Sequence, residues 1–267
     1  MRLGGFLTLT NPIWRQDPYL ECIGQMLDFY DEVVIVDGGH EDGYLDTIPK
    51  DRKIKIVERK WPKEFSWEFI GQQFQLGYDS CDSQWCIRQD CDYFIHQNDF
   101  KRLRKQLEDP NLQNYPVAKF YKYQFLLIDR YIIKTRIALA FNKKRYPNIR
   151  LDAGGDLCQP SLNDREIDED IMPNLGIPIY NYDFCFKTRE TIDKDFSRFM
   201  KAWQRRFGSS IPGFENMMKD RLKLRGKQTI IKLEEHPKYI QDKIKKMTPD
   251  QFGYSCFGWA EKASYFK

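Results

Sequence analysis

The sequence has no CxxC pair, no GxGxxG and no Walker A lysine, and it holds three histidines in 267 residues. Seven cysteines cannot all pair with one another. Cys81, Cys86 and Cys91 recur every five residues, a spacing that does not close a zinc tetrahedron. Reduced and mostly buried thiols are expected. A dinucleotide fingerprint is absent, and so is a glycine-rich triphosphate loop. Neither sign of charge is in large excess. Lys and Arg number 43 against 39 Asp and Glu, and a net charge of +4 gives no warrant for nucleic-acid binding. The longest apolar runs, such as Phe125–Ile128, are far too short to cross a bilayer. The N-terminal stretch Leu3–Leu9 is broken by two glycines and a threonine, and it lacks the apolar core and cleavage site of a signal peptide. A cytoplasmic protein with at most peripheral membrane contact is the expectation.

With 41% hydrophobic and 15% aromatic residues, the chain can bury a sizeable core. Its first hundred residues alternate strand-like and helix-like stretches. Gly5–Thr10, Glu32–Val36, Lys53–Glu58 and Gln84–Gln89 read as short strands. Asp17-Pro18 reads as a helix start, a capping side chain followed by a pre-set φ, with Leu20, Ile23, Leu27 and Tyr30 at helical spacing behind it. A second helix from Ser66 to about Tyr78 turns Phe69, Ile70, Phe74 and Gly77 inward, and Asp99 caps a third carrying Phe100, Leu103 and Leu107. Repeated β-α-β units of this size predict an α/β fold with a mostly parallel central sheet flanked by helices. Val117–Lys143 reads as two or three further strands, Arg150–Asp170 as a loop, and Ile177–Phe186 as another strand. Thr191–Phe207 carries one apolar stripe and predicts a strong helix, and Pro237 starts another with Ile240, Ile244 and Met247. The organisation expected is a catalytic domain over 1–190, its nucleotide half 1–100 and its acceptor half 101–190, with a helical extension over 191–267.

Ligands of open α/β sheets bind beyond the C-terminal strand ends. Three of those ends are chemically unusual: Thr8-Leu9-Thr10-Asn11, Asp37-Gly38-Gly39 and Asp90-Cys91-Asp92. Two carboxylates two residues apart can converge on a hard divalent ion, Mn²⁺ or Mg²⁺, which also takes the oxygens of a diphosphate. Such an ion neutralises the charge that builds on a leaving diphosphate. A carboxylate at the second strand end, Asp37, can accept from the imide of a pyrimidine or from a ribose, and Gly38 and Gly39 let a ligand approach the backbone.

These segments resemble the nucleotide-sugar-binding half of family-2 glycosyltransferases, which have the GT-A fold. The first strand of that family ends in a T-x-Y-N-like turn, here Thr8-Leu9-Thr10-Asn11. Its second ends in VDDGSTDGT, and Val36–Tyr44 reads VDGGHEDGY, with Gly38 in place of the second aspartate. A DxD lies thirteen residues beyond a helix glycine, as Asp90 lies beyond Gly77, although Phe74-Gln75 replace the Arg-Asn of that helix. Tyr93–Gln97 resembles the DEVLHE continuation of some bacterial members. The resemblance implies that Thr8, Thr10, Asn11, Asp37 and Gly38 hold the nucleoside. It implies that Asp90 touches ribose or metal-bound water, and that Asp92 binds the cation directly. His96 is the histidine placed to contact diphosphate or acceptor. Many relatives carry a His-Tyr-Gly segment late in the sheet, and Asn181-Tyr182-Asp183 stands there instead, so that ligand is absent or comes from elsewhere. Inverting transfer needs a carboxylate to take the acceptor's proton. Asp156 is the first candidate and Asp152 the second, in a glycine-rich loop at the family's location for this acid.

The expected activity is metal-dependent transfer of a sugar from a UDP-type nucleotide-diphosphate donor to a glycan, lipid-linked or protein hydroxyl. A sugar-nucleotide pyrophosphorylase and a non-catalytic nucleotide-sugar-binding module are the rivals. The basic residues of the 191–207 helix read as a solvated face, and Trp61, Phe65 and Trp67 as core aromatics or a sugar-stacking wall.

Overall fold

Two strands made almost wholly of apolar residues form the centre of the sheet. β1 (Leu3–Leu9) and β2 (Glu32–Asp37) are buried on both faces, as inner strands of a parallel sheet must be. In the computed structural model of the chain they pair in parallel, Leu7 beside Ile35. β3 (Ile54–Glu58) adds to the outer side of β2, and β4 (Trp85–Arg88) to the far side of β1, both parallel. The structure describes residues 1–64, 66–151, 159–208, 213, 216 and 228–266, without the side chains of Trp67 and of residues 135–138.

The connections are helical. α1 (Tyr19–Phe29) follows β1, but its buried seam is Tyr19, Cys22, Ile23, Met26 and Phe29, while Leu20 of the expected stripe is exposed. The terminal aromatics select that face: Tyr19 packs edge-on to Tyr44, and Phe29 stacks on Phe100 at 4.2 Å. α2 (Trp67–Ser80) lies on β1 and β2 through Gly77, where a Cβ would come within 2.9 Å of the Phe6 ring and 3.2 Å of a Val36 methyl. Glycine is needed there for the close approach of helix to sheet.

Beyond β4 the chain forms β5 (Tyr93–Ile95), a strand the sequence pattern did not reveal, and α3 (Phe100–Leu107). The aromatic stretch folds into a long hairpin, β6 (Val117–Leu127) and β7 (Arg130–Phe141). The segment expected to be loop contains a small three-stranded sheet of β8 (Ile149–Arg150), β9 (Ser161–Leu162) and β10 (Arg165–Glu166). β11 (Asn174–Asn181) starts three residues before the expected strand and stops at Asn181. A turn then leads into α4 (Arg189–Phe207), capped by the Thr188 side chain and ended by Gly208 at φ 67°. β12 (Thr229–Ile230), α5 (Lys238–Lys245) and α6 (Phe252–Ser255) complete the described elements. α5 buries Ile240 and Ile244 as its spacing predicts.

The main sheet runs β3-β2-β1-β4-β7-β6-β11-β5, with β12 beside β7. The pairings leave only β7 and β5 opposed to the other strands. This is the expected class, a mixed α/β fold with a mostly parallel central sheet flanked by helices. Six cysteines are described, all unbridged and five of them buried. Among the described residues no helix is long and apolar enough to cross a membrane.

Candidate functional site

β1 and β4 lie side by side with Phe6 opposite Arg88, so Thr8 and Thr10 leave the sheet next to Asp90 and Asp92. The backbone N–H of Tyr182 donates to the Asp92 carbonyl at 3.1 Å, which ties the turn after β11 to the DxD segment. That turn holds Asp183 at φ 33°, a left-handed conformation that costs a non-glycine residue. These three chain ends, with Arg15, Asp17, Trp61 and one side of α4, enclose a cleft of about 450 Å³. It opens at the C-terminal ends of β1 and β4, the position where open α/β sheets bind ligands.

The cleft has a charged end built as a network. Arg88 stacks on the Phe74 ring at 3.7 Å and donates from Nε and Nη2 to the two oxygens of Asp90, each at 3.1 Å. Asp17 receives Lys187 at 2.6 Å and Arg15 at 3.0 Å. Asp195 of α4 receives the same two cations, each at 3.2 Å, and Arg198 at 3.5 Å. Burial disfavours the charged form of Lys187, yet Asp17 and Asp195 beside it keep it protonated. Burial likewise opposes ionisation of Asp17, but Lys187 and then Arg15 hold it below the usual carboxylate range.

Asp92 is the opposite case. Burial, then the carboxylates of Asp183, Asp90 and Asp17, push it well above that range, and Lys187 only partly offsets them. Asp183 accepts from Gln124 Nε2 at 3.3 Å. Asp90 is held by Arg88 and Asp17 by two cations, while burial beside Asp183, Asp90 and Asp17 disfavours the charged form of Asp92. Among the described residues no cluster of three or more His, Cys, Asp or Glu is arranged to hold a metal alone. One or two carboxylates completed by phosphate oxygens is, however, the usual Mg²⁺ site, and Asp92 with Asp183 fits it.

Of the residues singled out in the sequence, Thr8, Thr10, Asp90 and Asp92 meet in this cleft. Asp37 does not line it. The Asp37 carboxylate is 1% exposed and accepts from the Gly39 N–H and the Tyr44 hydroxyl at 2.9 Å, with His40 Nδ1 at 2.6 Å from its other oxygen. Gly38 lies under Trp61 and Thr10. Asn11 turns toward Glu41 and Asp42. His96 lies at the far end of β5, which runs antiparallel to β11, so the three residues of the strand carry the chain about 10 Å away from the cleft. There its Nδ1 accepts from the Asn98 N–H and its ring faces Tyr180. His236 is buried between the hydroxyls of Tyr182 and Tyr265, each at 2.8 Å. Asp152, Asp156 and Phe65 lie outside the described residues.

Arg15, Asp17, Arg88, Asp183, Lys187 and the inner side of α4 are cleft residues that sequence reasoning missed. Pro18, not Asp17, is the N-cap of α1, and no side chain caps that end. A signal existed for two of them, because Asp183 falls among the aromatics Tyr180, Tyr182, Phe184 and Phe186, and Lys187 directly follows them.

No family model matches the chain, and no curated protein sequence matches it. Among solved structures it is similar to residues 1–349 of S. aureus TarS in complex with UDP-GlcNAc, at 14% identity and a TM-score of 0.44. That match covers 67% of this chain and 58% of the TarS chain, so the chain spans less than two thirds of that structure. TarS in complex with UDP matches at 14% identity and a TM-score of 0.41, over 90% and 78% of the two chains. The 4-diphosphocytidyl-2C-methyl-D-erythritolsynthase of Anaerococcus prevotii matches at 14% and 0.37, over 54% and 73%. Likeness at this level carries no argument about activity.

Proposed function

We propose that this chain is a glycosyltransferase that moves a sugar from a nucleotide-diphosphate donor to a hydroxyl acceptor. One observation carries the reading: the DxD carboxylates and Asp183 share a single cleft with the hydroxyls of Thr8 and Thr10 and with the cations of Arg15 and Lys187. A nucleoside diphosphate needs the same sequence of partners, polar groups for the nucleoside and then concentrated charge for the phosphates.

Asp92 and Asp183 would hold Mn²⁺ or Mg²⁺ together with the phosphate oxygens of the donor. When bound, the ion neutralises charge on the departing diphosphate. Asp90, clamped by Arg88, keeps the strand end rigid and offers its remaining lone pairs to ribose or to bound water. Arg15 and Lys187 add positive charge beside the phosphates, in a setting where charge is worth more than in water. In the transfer, the acceptor oxygen bonds to the anomeric carbon as the bond from that carbon to the diphosphate oxygen breaks. The electron pair leaves with the diphosphate, and the acceptor proton passes to a carboxylate, for which Asp156 and then Asp152 remain the candidates. Single displacement of this kind inverts the anomeric centre.

The test is donor turnover with UDP-sugars and a panel of glycan, lipid-linked and peptide acceptors, with and without Mn²⁺. Loss of at least about a hundredfold in kcat for Asp92→Asn supports the reading, the size expected when a group acting on transition-state charge is removed. Undiminished turnover in that variant refutes it. Metal-dependent donor binding without turnover on any acceptor would identify a binding module instead.

A further inference from the structure

Three cations of the cleft converge on one carboxylate of α4. Asp195 accepts from Arg15 Nη1 and from Lys187 Nζ, each at 3.2 Å, and Arg198 Nη2 stands 3.5 Å away. All four residues line the cleft together with Asp92 and Asp183. The other carboxylate of this group, Asp17, is held differently. It lies two residues from Arg15 in the chain, its side chain is 8% exposed, and its contacts are shorter, 2.6 Å to Lys187 and 3.0 Å to Arg15. Asp195 reaches in from a separate helix and its side chain is 20% exposed. It also has a way out, because Arg198 borders both the cleft and the groove on the other side of α4 that Arg189, Lys194 and Lys201 line.

We infer that Asp195 is a built-in competitor of the donor's diphosphate: its carboxylate takes the place of a phosphate between Arg15 and Lys187, and an incoming diphosphate displaces it. The inference rests on the proposed function and concerns what fills the same site before the donor arrives. A carboxylate bound by a guanidinium and an ammonium uses the donors that phosphate oxygens would use. With Asp195 in place, the cations Arg15, Lys187 and Arg198 exceed the carboxylates Asp17 and Asp195 by one charge. With Asp195 withdrawn the excess is two, which suits a diphosphate better. Asp17 stays as part of the wall, and Arg198 can accompany Asp195 outward as its partner. A ligand that binds only the withdrawn state has its apparent affinity lowered by the fraction of chains in that state.

The experiment is calorimetric titration of the full chain with inorganic pyrophosphate and with UDP, in Mn²⁺. Asp195→Asn keeps the shape and removes the charge, and it is expected to bind both at least about tenfold more tightly, because a like charge set against an anion opposes its binding. Asp195→Glu keeps the charge and is expected to bind no more tightly than the wild type. Asp193→Asn removes a carboxylate that pairs with Arg189 on the exposed side of α4, and its affinities should stay within about threefold of the wild type. Arg15→Met should weaken both ligands at least about tenfold. Unchanged or weaker binding by a folded Asp195→Asn protein overturns the inference, and so does an equal gain in Asp193→Asn, which would trace the effect to net charge. Crystals of the wild type soaked with pyrophosphate and Mn²⁺ decide the matter if Asp195→Asn does not fold. Asp195 more than about 4 Å from both Arg15 and Lys187 supports the exchange, and Asp195 still bridging them beside a bound phosphate overturns it. Those outcomes leave the glycosyltransferase reading standing, whereas failure of both pyrophosphate and UDP to bind the wild type and Asp195→Asn removes both.

Discussion

Replacing Lys187 by methionine keeps the side chain's length and removes its charge from between two carboxylates. The Lys187 side chain is 5% exposed and that of Asp17 is 8%, so water cannot take over the lost role. Removing one partner of a buried ion pair costs about 3–5 kcal/mol, because the other charge stays buried and uncompensated. Arg15 remains at 3.0 Å from Asp17 and 3.2 Å from Asp195, which favours the lower end of that range. In a chain of this size each kcal/mol moves the melting temperature by about 2–4 °C, so Lys187→Met is expected to melt about 6–12 °C below the wild type. Thermal unfolding followed by near-ultraviolet circular dichroism at neutral pH measures it. Lys187→Met combined with Asp17→Asn should regain at least half of the loss, since removing both charges of a buried pair is close to neutral. The pH dependence has a defined sign. Asp17 titrates below its unfolded value, so its stabilisation is complete above about pH 3.9 and is lost as the pH falls through the lower folded value. The gap between wild type and Lys187→Met should therefore narrow in that acid range. A single variant melting within about 2 °C of the wild type, or a double variant less stable than the single, would refute the argument.

Gly38→Ala places a methyl 2.2 Å from Trp61 and 2.3 Å from Thr10, and overpacking of that kind costs about 1–3 kcal/mol, read as a lower urea midpoint at unchanged slope. An unchanged midpoint would mean that Trp61 moves away freely. Burial beside Asp183, Asp90 and Asp17 penalises the ionisable Asp92 in the folded chain, a penalty that Asp92→Asn lifts, so the variant should gain about 0.5–2 kcal/mol in a melting assay at neutral pH even as it loses turnover. A destabilised Asp92→Asn protein would contradict that reading of the cleft. Burial lowers the His236 pKa to about 3, and its ring nitrogens are engaged by Tyr182 and Tyr265. Below about pH 6.5 the unfolded chain takes up a proton there that the native chain refuses, so stability falls with pH by up to about 1.4 kcal/mol per unit in that window. Proton resonances of the His236 ring should hold still from pH 8 down to about pH 4, and a titration near 6.5 would show that the ring is solvated.

Much of the fold was legible because its signals are local. β1, β2 and β4 are short apolar runs closed by Asn-Pro, Asp-Gly-Gly and Asp-Cys-Asp, and a strand buried on both faces is written in consecutive residues. α5 shows its seam in the spacing of Ile240 and Ile244. α1 was readable as a helix, but its face was not. Leu20 and Tyr19 fit a stripe equally well, and Tyr44 and Phe100, which settle the choice, come from other elements.

The site divides in the same way. Thr8, Thr10, Asp90 and Asp92 could be named in advance, because parallel strands put their C-terminal ends on one edge whatever the packing above them. Asp37 is at such an end too, but the inward direction of its carboxylate was set by Tyr44 and His40. His96 was lost from the cleft when β5 turned antiparallel, a choice made by pairing with β11 more than eighty residues later. Asp17 looks like a helix cap until Lys187 reaches it across 170 residues of chain. Sequence alone determined which residues end the parallel strands, since burial and turn chemistry act between near neighbours. Tertiary structure decided which of their carboxylates face the cleft and which cations meet them, since Coulomb energy and desolvation depend on distances that the order of residues does not contain.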